Sequence, residues 1–125
     1  MPVSKRLLHV EDDEDIQMIA RLVLVDLGGF EVLQCASGAE AVDKAAAFGP
    51  DLLLLDFMMP GMNGMATLKA LRGIPGLGGV PAVFMTAKTL AVSDEDMAAN
   101  GVVGVIGKPF DPVSLPAEIS RYLGL

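Results

Sequence analysis

Leu52-Leu53-Leu54-Leu55-Asp56-Phe57-Met58-Met59-Pro60-Gly61 decides the fold. Four consecutive leucines show no polar alternation, so they read as a strand buried on both faces, as in a parallel sheet. Pro60-Gly61 supplies a turn directly afterwards. Asp56 stands between the two, a carboxylate at the edge of a core where a ligand can reach it. Three other apolar pieces end in the same way. Leu7 to Val10 runs into Glu11 and Asp12, Ala82 to Met85 into Thr86, and Val102 to Ile106 towards Lys108. In an open parallel sheet the four ends converge on one rim, where such folds bind ligands. Acids, a hydroxyl and a lysine on one rim describe a magnesium and phosphoryl site.

Outward from that strand, helical and extended patterns alternate. Ile16, Ile19, Ala20, Val23, Leu24 and Leu27 recur at helical spacing until Gly28-Gly29 stops them. Phe30–Ala36 reads as a second strand. Ser37 and Glu40 then form a capping-box pattern that opens a helix through Phe48. Asn63 caps the next helix, with Met65, Leu68 and Leu71 facing inward. Val80–Thr86 is strand four, a short helix spans about Ser93–Ala99, and Val102–Ile106 is strand five. The last helix carries Leu115, Ile119 and Leu123, and Pro116 is tolerable because it lies in the first turn. The glycine-rich stretch Gly73–Gly79 lacks the lysine of a P-loop and precedes a strand, so it reads as a flexible connector. Five β-α units with apolar strands predict a single three-layer, doubly wound (βα)5 α/β domain. Its five-stranded parallel sheet should take the flavodoxin-like order 2-1-3-4-5.

Composition removes several function classes. A chain of 125 residues with 52% hydrophobic content can bury a real core and is no disordered tail. Its apolar stretches are broken well before the roughly 18 residues a membrane helix needs. No basic-then-apolar leader opens it, so a cytoplasmic protein without a membrane role is expected. Cys35 is the only cysteine, which excludes an internal disulfide, and its apolar strand makes it a buried structural thiol. The formal charge of −7 argues against direct nucleic-acid binding, which needs a basic footprint.

The acidic run Glu11-Asp12-Asp13-Glu14-Asp15 divides by position. Asp13, Glu14 and Asp15 suit a solvated helix start, with Asp13 as its cap. Glu11 and Asp12 follow the strand directly and must crowd Asp56 at the rim. That packing is repulsive without a cation, and Mg2+ takes oxygen ligands from one or two carboxylates, waters and phosphate. Asp56 can then act as an oxygen nucleophile and form an aspartyl phosphate. In-line transfer needs positive charge on the equatorial oxygens. Lys108 supplies it, and the Thr86 hydroxyl can bond a further oxygen.

VEDD at 10–13, DLLLLDFMMPGMNG at 51–64, MTA at 85–87 and GKPF at 107–110 resemble the receiver domain of two-component response regulators. The resemblance covers the whole chain, 1–125, with no output domain. It implies that Asp56 takes phosphate from a histidine kinase or phosphotransfer protein. It also implies Mg2+ held by Glu11 through water, by Asp12 and Asp56, and by the backbone carbonyl of Met58. Thr86 and Lys108 would be the phosphate-sensing pair, and Lys108-Pro109 a cis peptide. Such a receiver acts by docking to an output partner or within a phosphorelay. It promotes its own phosphorylation and dephosphorylation but turns over no separate substrate.

Other readings of the same residues fit less well. A haloacid-dehalogenase-like phosphohydrolase needs a second acid two residues after the nucleophile, where Met58 stands. A flavin carrier needs a hydroxyl- and glycine-rich loop after strand one, where five acids stand. A phosphate-blind adaptor does not explain an intact set of rim residues. The sequence also departs from the receiver pattern. Val105 occupies the place of the usual Tyr or Phe, so a smaller or differently placed change on activation is expected. Met58 and Lys88 flank the phosphate position, and an apolar side chain cannot orient an attacking water, so slow self-dephosphorylation is expected. Met18, Leu22 and Val25 form a second apolar stripe on the first helix, a buried or docking face, and the receiver resemblance implies docking of the phosphodonor there.

Overall fold

Strand β1 (Arg6–Val10) leads into helix α1 (Glu14–Arg21), which continues as a π-helical turn (Leu22–Leu27). The structure, a computed structural model, describes residues 4–87 and 92–125. Then come β2 (Glu31–Cys35), α2 (Gly38–Phe48), β3 (Leu52–Asp56) and α3 (Gly64–Arg72). The chain closes with β4 (Ala82–Thr86), α4 (Asp94–Ala99), β5 (Val102–Gly107) and α5 (Leu115–Tyr122). All strand pairs are parallel, in the expected order β2-β1-β3-β4-β5.

Successive side chains of a strand point to opposite faces, so one sheet builds two cores. Leu8, Val10, Leu53, Leu55 and Phe84 pack against Ala41 and Ala45 of α2 and Leu68 and Leu71 of α3. Leu7, Leu52, Leu54, Val83, Met85 and Ile106 pack against Ala20 and Leu24 of the first helix and Leu115 and Ile119 of α5. Every residue of β3 and β4 is buried, and each fully buried leucine stabilises the fold by roughly 1.5–3 kcal/mol. Cys35 is buried, which pushes its thiol up to about 11. No described helix is long and apolar enough to cross a membrane.

The helix starts carry the caps that their residues imply. Asp13 Oδ1 accepts from the N–H groups of Asp15 and Ile16, Ser37 Oγ from Glu40, Asn63 Oδ1 from Ala66, and Ser93 Oγ from Asp96. Glu40 reaches back to the Ala36 N–H at 2.7 Å, completing the box.

Two expectations need correction. The first helix spans the expected residues but widens after Arg21, where Gly28 N–H bonds the Val23 carbonyl at 2.9 Å. That wider turn rotates the apolar face away from 3.6-residue spacing. Beyond Arg21, Val23 and Leu24 are buried and Leu27 is exposed, and in the regular part before it Ala20 is buried while Ile19 is exposed. Gly28 is required there, because a Cβ would lie 2.8 Å from the Leu24 carbonyl and 2.9 Å from the Phe30 ring. The connector Gly73–Gly79 is also pinned rather than loose. Leu77 is buried, and its carbonyl accepts from Arg72 Nη1 at 2.7 Å.

Candidate functional site

β1, β3, β4 and β5 all point their C-terminal ends at one rim, and β3 ends on Asp56. Gly64, the first residue of α3, fixes how the chain leaves that strand. Its N–H donates to the Phe57 carbonyl at 2.8 Å. A Cβ at Gly64 would stand 2.8 Å from Phe57 Cα and 2.9 Å from the Asp56 carbonyl. Only a glycine lets α3 press so closely on the backbone that carries Asp56. Phe57 turns inward and meets the Phe84 ring edge-on at 5.3 Å, so its neighbour Asp56 is anchored from both sides.

Glu11, Asp12 and Asp56 each place a carboxylate oxygen within 4.8 Å of the others. Glu11 and Asp56 are buried, while Asp12 is exposed. Lys108 Nζ lies between the two buried acids, 2.6 Å from Glu11 Oε1 and 3.0 Å from Asp56 Oδ1. Backbone groups hold the acids as well. The Asp13 N–H donates to Glu11 Oε2 at 3.2 Å and the Met58 N–H to Asp56 Oδ1 at 3.3 Å. These groups line an open cleft of about 540 Å3, with Ile16 and Ala87 on its walls.

The charge balance of this cleft is unequal. Among the described residues, three carboxylates face one ammonium. Burial pushes the Glu11 carboxyl up to about 7, the nearby Asp56 adds to the rise, and Lys108 opposes it. Burial works against the charged form of Lys108, but its hydrogen bonds to Glu11 and Asp56 outweigh that and its pKa is raised. A site of hard oxygen donors with excess negative charge fits a divalent cation such as Mg2+.

Glu11, Asp12, Asp56, Met58 and Lys108 thus come together at one cleft. Thr86 is buried on β4 next to it, and its carbonyl accepts from the Lys108 N–H at 2.9 Å. The Lys108-Pro109 peptide is cis, as expected. Asp13 is a helix cap. Lys88 lies outside the described residues. Val105 is 41% exposed and, with Met97, Ala98 and Val103, lines a groove of about 220 Å3 between α4 and β5. Met18 and Leu22 are exposed and, with Arg21, Val25 and Asp26, line a separate depression of about 260 Å3.

A buried polar network beside the site went unread in the sequence. His9 is fully buried on β1, opposite Gln34 in the β1–β2 register. Gln34 Nε2 bonds His9 Nδ1 at 3.1 Å and the Gln17 carbonyl at 2.7 Å. Gln17 Nε2 in turn donates to the Glu11 carbonyl. The available signal was a polar residue within each of two adjacent apolar strands.

Comparison with known proteins agrees with this geometry. Residues 7–120 match the response regulator receiver domain family. The chain is 36% identical over 121 residues to the DNA-binding response regulator MtrA of Mycobacterium tuberculosis, covering 97% of this chain and 51% of that protein. The chain therefore spans about half the length of that relative. It is 30% identical over 122 residues to the polar-differentiation response regulator DivK of Brucella ovis, covering 98% of each. Among solved structures, Vibrio cholerae chemotaxis protein CheY4 superposes with a TM-score of 0.88 at 30% identity, covering 96% of this chain and 99% of that one. The receiver domain of a Pseudomonas aeruginosa sensor histidine kinase, with a magnesium ion coordinated in its active-site cleft, superposes with a TM-score of 0.83. It is 27% identical and covers 98% of this chain and 100% of its own. The chain belongs to the response regulator receiver domain family of two-component signalling.

Proposed function

We propose that this receiver accepts a phosphoryl group on Asp56 from a phosphohistidine of a histidine kinase or phosphotransfer protein. The observation that supports this best is the Lys108 ammonium, which sits between Glu11 and Asp56 with Asp12 beside them. An Asp56 carboxylate oxygen attacks phosphorus, the P–O bond forms, and the P–N bond to the donor imidazole breaks. Lys108 is within reach of the incoming phosphoryl group because it already touches Asp56. It pairs with one equatorial oxygen, as loose phosphoryl-transfer transition states require. The Thr86 hydroxyl, one strand over, takes another oxygen. Glu11, Asp12, Asp56 and the Met58 carbonyl would hold Mg2+, which supplies further positive charge to the transferring group. The donor docks on the exposed stripe of Met18 and Leu22.

The output is a change in protein binding by the receiver, without direct nucleic-acid contact by this acidic domain. Val105 cannot act as an aromatic switch, so the activated state differs less around β5 than an aromatic residue would allow. Met58 is exposed at the cleft and offers no group to orient water, which favours a long-lived phosphate.

Incubation with acetyl phosphate and magnesium, read by intact mass, tests this. The wild type should gain one phosphoryl group and keep it over minutes, whereas Asp56→Asn should gain none. Equal labelling of the two would show that another residue is the acceptor.

A further inference from the structure

We propose that Gln17 is a positioning residue for the divalent-cation site, because its two N–H groups hold the carbonyls on either side of Asp12. The assignment rests on the reading that Glu11, Asp12 and Asp56 take up Mg2+. Asp12 is the exposed member of that set, and no hydrogen bond or ion pair holds its carboxylate among the described residues. Its location is therefore set by its backbone. The Gln17 backbone N–H donates to the Asp13 carbonyl at 3.0 Å, and Gln17 Nε2 donates to the Glu11 carbonyl.

The second bond replaces a missing one. The Glu11 N–H still pairs with the Cys35 carbonyl at 2.9 Å, but β2 ends at Cys35. The Glu11 carbonyl thus stands just beyond the sheet, and the Gln17 amide satisfies it where a strand partner no longer can. Gln17 is itself tied down, since its carbonyl accepts from Gln34 Nε2 at 2.7 Å. The amides of Gln34 and Gln17 together connect β2, α1 and the end of β1. A cation binding at Asp12 then meets a segment already ordered and loses less freedom in doing so.

Magnesium titration calorimetry on the full chain is the test. Gln17→Met keeps the length of the side chain and removes its N–H donors. It should weaken magnesium binding about 10-fold, in the range found for groups that orient metal ligands. Phosphorylation by acetyl phosphate should slow at subsaturating magnesium and recover at saturation. A purely structural role would lower the metal-free unfolding midpoint and leave magnesium affinity unchanged. Wild-type affinity in a folded Gln17→Met chain overturns the assignment. Gln34→Met should weaken binding in the same direction and to a smaller extent, and it decides the matter if Gln17→Met does not fold. Wild-type affinity in Gln34→Met would then overturn the assignment. A wild-type chain that takes up no magnesium overturns both this assignment and the magnesium reading beneath it, whereas the acetyl phosphate result for Asp56→Asn bears only on which residue accepts the phosphoryl group.

Discussion

His9 on β1 and Glu11 just past its end lie two residues apart, and burial moves their protons in opposite senses. Glu11 is raised from 4.5 to about 7, so the folded state binds its proton more tightly than the unfolded chain does. Its contribution to metal-free stability is complete below pH 4.5 and is lost as pH rises through 7. His9 is lowered from 6.5 to about 4 by burial, with the Lys108 charge adding to the effect. Its contribution is present above pH 6.5 and is lost as pH falls through 4, an effect on the order of 3 kcal/mol. Gln34 donates to Nδ1, and Nε2 is buried without a partner among the described residues. An apolar replacement of similar size therefore removes an unsatisfied group. His9→Leu should flatten the fall in thermal midpoint between pH 6.5 and 4, and Glu11→Gln should flatten the fall between 4.5 and 7 without magnesium. An unchanged acid limb in His9→Leu would show that other groups drive acid unfolding.

Arg72 does at the element scale what caps do within one helix. Its guanidinium reaches the Asn100 carbonyl through Nε at 3.0 Å and through Nη2 at 2.8 Å, and the Leu77 carbonyl through Nη1 at 2.7 Å. Asn100 closes the C-terminal end of α4, so one side chain of α3 joins that helix to the connector before β4. Arg72→Met should cost about 2–3 kcal/mol in urea unfolding, since hydrogen bonds from a charged donor are the strong kind. Faster hydrogen exchange in α4 than elsewhere should accompany the loss. Uniform exchange across the chain would place the cost in another part of the fold. Elements with local signals were legible in the sequence. The caps at Ser37, Asn63 and Ser93 and the unbroken apolar runs of β3 and β4 needed no distant partner to be read. The π-helical turn and the pinned connector were not, because each depends on a contact that spacing does not encode. Gly28 against Phe30 sets the first, and Arg72 against Leu77 sets the second.

For the whole molecule, the rim was readable for a physical reason. In a parallel sheet every strand delivers its last residue to the same side, so Glu11, Asp12, Asp56 and Lys108 had to meet once the strand order was known. The Gln17–Gln34–His9 chain stayed hidden because it runs across the register between β1 and β2 rather than along any one segment. The sheet has a further property that shows only at this scale. β5 is an edge strand, its Val102–Gly107 stretch carries no charge or proline, and Val103 and Val105 are exposed. Natural edges are commonly guarded by lysine, proline or a bulge against pairing with another sheet. Among the described residues, the register irregularity of this edge lies at the start of β5, opposite Ala82 and Val83. A formal charge of −7 keeps copies apart over a distance that shrinks as ions accumulate. Rising sodium chloride should therefore increase light scattering by the wild type, and Val105→Lys should suppress the increase. Scattering independent of salt would sever the link. Colloidal behaviour in this small domain thus rests on long-range repulsion standing guard over an open seam.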